Sequence, residues 1–364
     1  MKRRRFIVRA GGVLAAAGAA AVVDAPHVIA QAKVQWRMST TWTPALDVLQ
    51  GSAEEFARLV DELSGGRFKI EVFPGGQIMP QFACFAGASQ GTDIQAFMGA
   101  SYYWAEKEPA MQWFASVPFG MNPEAMAAWY RQGGGLQLWE EIYSGLNLVP
   151  RPTLSTGPQM AGWFRRKINT LADYRGLKMR IPGLGGQVVA KAGGTVVLTP
   201  ASEIYAALER GVIDASEWIG PHDDMRLGLH MTARYYYYPG WHEPGTTLEF
   251  GFNKKAYEAL PVDLRRVLDH AAAATQAHGR SDYEARNAIA LEKLRMELKG
   301  KVEVLQLPAP VLRDLKRLAA EVVKEESEKS PMAKRVYASY TKFQAQHTGW
   351  SRISEGAYQQ FVAL

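Results

Sequence analysis

The chain has 364 residues, 47% of them apolar, which is enough to bury two cores and favours two domains. Its formal net charge is +6, but Lys2, Arg3, Arg4, Arg5 and Arg9 against Asp24 place +4 of that in residues 1–32 and leave +2 for the rest. A remainder with no dense basic run excludes a nucleic-acid surface, which needs clustered Lys and Arg.

The elements follow in chain order. The basic head leads into the small apolar stretch Ala10 to Val23, too short to span a bilayer, and Ala30-Gln31-Ala32 offers an A-x-A cleavage site. Residues 1–32 therefore read as a signal peptide cleaved near Ala32. Arg3-Arg4-Arg5-Phe6-Ile7 fits the twin-arginine pattern, although adjacent arginines also occur in ordinary Sec signals. Leu49, Ala53, Phe56, Val60 and Leu63 form a helical stripe, ended by Gly65-Gly66. Phe68, Ile70 and Val72 alternate as a strand, a short helix spans about 80–90, and 93–98 is a second strand. Cys84, the single cysteine, lies in an apolar stretch and reads as a buried, inert thiol.

The spacing predicts strands at 159–166, 177–181 and 212–218. Thr199 is expected as an N-cap, with Pro200 at the first helical position. From Leu264 the chain is mostly helical, with a short strand near 302–307 and later helices at about 311–328 and 333–346. Helix–strand alternation of this kind predicts α/β sheets covered on both faces.

Three motifs are tested for chemistry. Gly87-Ala88-Ser89-Gln90-Gly91 matches the G-x-S-x-G elbow of serine hydrolases, but the elbow needs strand before helix, and here the order is reversed. Gly183-Leu184-Gly185-Gly186 has incomplete phosphate-loop spacing and reads as a flexible turn. His222-Asp223-Asp224 is the only His–acid cluster, and a solvated helix start explains it better than a metal site. Arg180, Glu217 and Trp218 instead fall at predicted strand ends, where open α/β sheets bind ligands. With the aromatic run Tyr235 to Tyr238 and Trp241, they describe a dry carboxylate pocket.

At these residues the sequence resembles the substrate-binding proteins of tripartite ATP-independent periplasmic (TRAP) transporters, in the branch that binds 2-oxo acids. The resemblance spans nearly all of the mature chain. Its segments are Tyr102-Tyr103-Trp104, Gln159-Met160 with Gly162 to Arg166, Gly176-Leu177-Lys178-Met179-Arg180, Glu217-Trp218 with Gly220-Pro221, and Tyr235 through Trp241 with Glu243. It implies a two-domain periplasmic binding protein fold with a ligand cleft, hinge strands and a long connecting helix. The expected domains are residues 33–158 with about 247–288, and 159–246 with about 289–364 including the C-terminal helices.

By the resemblance, Arg180 binds the substrate carboxylate, which a planar guanidinium holds through two parallel hydrogen bonds. Gln159, Glu217 and the Trp218 carbonyl hold a cation, and Glu243, Tyr102 and Tyr103 complete the pocket. The sequence departs from the family at Ser101, which interrupts a longer tyrosine run, and at His242, where a second tryptophan is common. Charge counting bears on the cation: Arg180, Glu217, a ligand carboxylate and one monovalent ion sum to zero, which fits Na⁺. If Glu243 is also ionised, Ca²⁺ balances better, and an all-oxygen set disfavours zinc.

The resulting expectation is a periplasmic, non-enzymatic receptor for a 2-oxo or 2-hydroxy monocarboxylate such as pyruvate or lactate. It would serve a TRAP membrane permease and form a homodimer through its C-terminal helices. The other classes are an exported hydrolase using Ser89 or the His222–Asp224 cluster, and a sensing partner of a receptor kinase.

Overall fold

The computed structural model describes residues 33–362. The expected signal peptide and its cleavage site lie outside these residues. Among the described residues, no helix is long and apolar enough to cross a membrane.

Two twisted sheets organise the chain. The first contains β1 (Val34–Thr40), β2 (Phe68–Phe73), β3 (Ala96–Gly99), β4 (Leu148–Ser155) and β10 (Thr247–Asn253), in the order β2-β1-β3-β10-β4. The second contains β5 (Gly162–Phe164), β6 (Lys178–Arg180), β7 (Thr195–Val197), β8 (Ala215–Ser216), β9 (Tyr235–Tyr238) and β11 (Glu303–Gln306), in the order β11-β9-β5-β8-β6-β7. In each sheet one strand runs against its neighbours: β10 between β3 and β4, and β5 between β8 and β9. Each of these enters directly from a strand of the other sheet, with no helix between. The chain leaves β4 for β5 and returns from β9 to β10.

The two crossings run side by side. Thr156 N donates to the Thr246 carbonyl at 3.0 Å, and Gln159 N to the Glu243 carbonyl at 3.2 Å. Gly240 N returns a bond to the Gln159 carbonyl at 2.9 Å. A Cβ at Gly240 would stand 2.2 Å from that same oxygen, so only glycine permits the approach.

The stripe read from Leu49 to Leu63 forms the helix Asp47–Leu63, which buries Leu49, Ala53, Phe56 and Val60. Leu63 points out at the last turn and is 54% exposed. The long helix Val262–Glu297 packs on β4, on Asp47–Leu63 and on the short helix Pro221–Arg226. At Gly279 it lies tight against β4, where a Cβ would meet Leu154 at 2.5 Å. Of the later helices, Ala309–Ser327 packs on Gly183–Lys191, whereas Pro331–Ile353 packs on Pro123–Gln132 and Gly135–Ser144.

Four local expectations differ from the structure. Gly183 to Gly186 is the start of the helix Gly183–Lys191, not a flexible turn. A short apolar helix with glycines on its packed face looks like a loop in sequence, but Gly185 and Gly186 are buried against His242 and Ile181. Pro200, not Thr199, caps the helix Ala201–Glu209. The Thr199 carbonyl instead accepts from Arg180 Nε at 3.3 Å. Only Ala215–Ser216 of the stretch 212–218 pairs as a strand; Val212 is 58% exposed. Likewise only Gly162–Phe164 of 159–166 pairs, because the residues before it form the crossing.

Candidate functional site

The site is assembled from strand ends and the two crossings. β6 and β8 are parallel neighbours with Arg180 opposite Ser216, so their carboxyl ends place Arg180 beside Glu217. Tyr102 and Tyr103 lie in the turn Ser101–Trp104, directly beyond β3 of the other sheet. Gln159 comes from the β4–β5 crossing, and His242 and Glu243 from the β9–β10 crossing. This is where strands that end together leave a crevice.

Arg180, Glu217, His242 and Glu243 are all at most 3% exposed. Arg180 Nη1 makes an ion pair with Glu217 Oε1 and also donates to the Glu217 carbonyl at 3.2 Å. The guanidinium lies 5.0 Å from the ring centre of Trp218, a cation–π contact. The second Glu217 oxygen stands 3.3 Å from His242 Nε2. Glu243 accepts from the Thr246 hydroxyl. Gln159 donates its amide to the Thr156 and Thr246 hydroxyls at 3.0 and 3.3 Å.

Burial dominates the electrostatics. It pushes Glu217 up to about 7 even against the adjacent Arg180 charge. Burial and the neighbouring Glu217 push Glu243 up to about 7. His242 is lowered by burial to about 4 and stays neutral. Burial costs Arg180 its solvation too, but Glu217 together with Tyr103, Tyr102 and Glu243 outweighs that loss and keeps it charged.

Tyr102, Tyr103, Gln159, Arg180 and Trp218 line a common cavity with Trp42, Leu49, Thr156, Ile219 and Leu248. Its volume is ≈ 10 Å³, room for about one water molecule. Arg180 Nη2, Gln159 Oε1 and Trp218 Nε1 are buried without a hydrogen-bond partner in the chain. Buried polar atoms are normally satisfied, so unpaired donors and an unpaired acceptor at one cavity are the mark of a binding site. Gln159 Oε1 and the carboxylates offer oxygen to a hard cation, and Glu217, His242 and Glu243 bring ligand atoms within 4.8 Å of one another.

The structure thus brings Gln159, Arg180, Glu217, Trp218, Tyr102 and Tyr103 together, with Glu243 in the adjoining crossing. Trp42, Leu49, Thr156, Thr246 and Ile219 were not singled out from sequence as site residues. Only the pairing of the two crossings reveals the threonines, and it joins residues far apart in the chain.

The motifs from other readings lie elsewhere. Ser89 sits in the helix Cys84–Gln90, ahead of β3, and its hydroxyl donates to the Leu146 carbonyl at 2.7 Å. Cys84 is fully buried, and burial pushes its thiol far up. The solvated reading of His222-Asp223-Asp224 is overturned, since Asp223 and Asp224 are both 0% exposed. Asp224 accepts from Trp163, Tyr236 and the Ile219 backbone, and Asp223 from Tyr283.

Residues 38–330 match the family model for bacterial extracellular solute-binding proteins, family 7, named DctP. The chain belongs to the DctP family. A DctP relative from Nostoc sp. PCC 7120, a monocarboxylate 2-oxoacid-binding periplasmic protein, is 39% identical over 330 residues, covering 91% of this chain and 89% of that one. A TRAP solute-binding protein from Bordetella bronchiseptica, with calcium and picolinate at one site, superposes with a TM-score of 0.88 at 38% identity, covering 91% of this chain and 97% of that one. Another, from Pseudoalteromonas atlantica with bound sodium and pyruvate, gives 0.87 at 36%, covering 90% and 99%. A third, from Colwellia psychrerythraea, holds calcium and pyruvate, again with 0.87 at 36% and coverage of 90% and 99%. DctP proteins are solute-binding receptors, and this chain is a receptor of that kind, not an enzyme.

Proposed function

We propose that this DctP protein captures a small 2-oxo monocarboxylate the size of pyruvate, together with a hard cation, and hands it to the membrane permease of a TRAP transporter. The observation that carries this reading is the fully buried Arg180, whose Nη2 has no partner in the chain beside the cavity that Gln159, Tyr102, Tyr103 and Trp218 line. Arg180 would take the ligand carboxylate. Gln159 through its free amide oxygen, Glu217 and the Trp218 carbonyl would hold the cation, which supplies positive charge to the ligand oxygens. Tyr102, Tyr103 and Glu243 would close the pocket and keep out water.

The named ligands of the relatives support the substrate class. Those relatives hold calcium in two cases and sodium in one. Arg180, Glu217 and one ligand carboxylate balance a monovalent ion, so Na⁺ is our first reading. Glu243, buried beside Glu217, favours Ca²⁺ if it ionises when the cation binds. A 2-hydroxy acid such as lactate would make the same carboxylate contact.

Residues 1–32 are proposed as the export signal. The two domains are proposed to follow the sheets, 33–158 with about 247–288 and 159–246 with about 289–364, with Pro331–Ile353 returning onto the first. Homodimerisation through the C-terminal helices is supported by Trp350, Ile353, Tyr358 and Phe361, each at least 65% exposed. A monomeric mass at working concentration removes that part.

The test is a thermal-shift titration with pyruvate. Wild-type protein gains stability, and Arg180→Ala gains none while keeping its far-ultraviolet circular dichroism. Equal affinity in the variant removes the assignment. Chelation followed by NaCl or CaCl₂ identifies the cation by which salt restores binding.

A further inference from the structure

Asp47 opens the helix that carries Leu49, just beyond Trp42, and both residues line one wall of the cavity. His222 and Arg226 belong to the short helix Pro221–Arg226, which directly follows Trp218 and Ile219 on the opposite wall. His222 Nε2 lies 2.8 Å from Asp47 Oδ1. Arg226 Nε stands 3.4 Å from that oxygen and donates to the Ala45 carbonyl at 2.6 Å. The other oxygen, Oδ2, takes Arg286 Nη1 at 2.9 Å from the long helix. Beside Arg286, Asn287 accepts from the His222 backbone N–H at 3.0 Å. A single carboxylate on one wall therefore meets three nitrogen-bearing side chains from two other elements.

Two other contacts between the proposed domains are neutral. Gln187 donates to Gln112 at 3.1 Å, and Ser202 to Gln81 at 3.2 Å. Partial burial works against the Asp47 charge, but the His222 bond and the Arg226 and Arg286 charges outweigh it and hold the carboxyl below its ordinary range.

We propose that Asp47 is the positioning residue of an electrostatic latch, with His222 and Arg226 as its catch and Arg286 of the long helix steadying the carboxylate, that holds the two cavity walls together over the ligand. The proposal deepens, and rests on, the reading of this chain as a ligand-capturing receptor. Affinity in such a protein is the intrinsic affinity of the closed arrangement scaled by its population, so a contact made only on closure raises affinity without touching ligand. The groups are partly exposed and each pair alone is weak, but three partners on one carboxylate act together.

Asp47→Asn keeps the size and removes the charge. With pyruvate as probe and stopped-flow tryptophan fluorescence, its dissociation rate should rise about fivefold while association changes less than about twofold. Adding Arg226→Gln to it should raise the rate less than Arg226→Gln does alone, because only the Ala45 carbonyl is then left for Arg226 to hold. Spin labels at Lys69→Cys on β2 and Lys178→Cys on β6, both exposed, read the walls without ligand. In the unliganded protein, Asp47→Asn should shift the label distances to longer values. This arm reads the latch even if wild-type protein ignores pyruvate, a result that would remove the proposed substrate and leave the latch standing. Unchanged label distances overturn the latch. So does an unchanged dissociation rate accompanied by equal loss of thermal stability with and without ligand, which marks an ordinary structural ion pair.

Discussion

Glu217 and Asp224 are both fully buried carboxylates, and burial pushes each to about 7. Their surroundings differ in kind. Asp224 Oδ1 accepts from the Ile219 N–H at 3.0 Å, and Oδ2 from Trp163 Nε1 at 2.9 Å and the Tyr236 hydroxyl at 2.7 Å. Every partner is neutral and supplied by the chain. Glu217 instead faces a guanidinium and an imidazole, and around it Arg180 Nη2, Gln159 Oε1 and Trp218 Nε1 lack partners. A buried acid whose oxygens are all claimed by fixed donors holds the fold together. One ringed by unclaimed polar atoms is prepared for a guest.

The largest effect that separates the two clusters comes from the structural one. Asp224→Ala strands an indole N–H, a phenol hydroxyl and a backbone N–H in the core. The expected loss is on the order of 3–5 kcal/mol of folding stability, read as a lower urea midpoint with and without pyruvate. A loss under about 1 kcal/mol would mean that this acid is no more structural than Glu217. Next comes Arg180→Lys, which keeps the charge but loses the planar fork. Pyruvate affinity should fall at least about 30-fold, on the order of 2 kcal/mol, measured by calorimetry. Folding should suffer much less than in Asp224→Ala, because a lysine can still face Glu217. If Arg180→Lys binds as tightly as wild type, the functional half of the contrast fails.

Much of this was legible in the sequence, for reasons that particular residues make plain. The stripe Leu49, Ala53, Phe56, Val60 and the alternation Phe68, Ile70, Val72 are local periodicities, and both became the expected elements. Arg180 and Glu217 were found because strand ends bind ligands and each ends a readable β segment. The role of Asp223 and Asp224 was not legible. Their partners Tyr283 and Trp163 are distant in the chain, and a His-Asp-Asp triplet looks solvated unless those aromatic donors are known to cover it. Nor did the sequence show that the strand at 212–218 shrinks to Ala215–Ser216. Pairing there stops because the chain turns away after Ser216 to set Glu217 against Arg180 and present Trp218 to the cavity.

A third buried acid sharpens the contrast by pH. Glu249 on β10 accepts from the Tyr143 hydroxyl at 2.9 Å, and burial pushes it up to about 8. Because that value lies above the ordinary 4.5, the folded protein holds a proton that the unfolded chain releases between the two. The stability this confers is complete below about 4.5 and is lost as pH rises through about 8. Asp223 and Asp224, raised by burial to about 6 and about 7, lose theirs over the lower part of the same window. Glu249→Gln keeps the acceptor for Tyr143 and removes the ionisation. Its urea midpoint should vary less with pH than that of wild type, with a gain on the order of 1–2 kcal/mol near pH 9. Parallel pH curves for the two proteins would show that Glu249 does not titrate in this window.

The smallest effect concerns a residue outside both clusters. Ser89 has the surrounding sequence of a hydrolase nucleophile, yet its hydroxyl spends its proton on the Leu146 carbonyl at 2.7 Å. Asn147 next to that carbonyl donates back to the Ser89 carbonyl at 2.7 Å, so the pair fastens the helix Cys84–Gln90 to the turn before β4. Removing one such partly buried bond should lower stability by at most about 1 kcal/mol. Ser89→Ala should therefore bind pyruvate with wild-type affinity and differ only by a small shift in thermal midpoint. A loss of ligand response in this variant would mean that the helix it anchors controls the pocket through Tyr102 and Tyr103, since β3 and the tyrosine turn follow it directly. The contrast between structural and receptive polar groups would then have to include hydrogen bonds well away from the cavity.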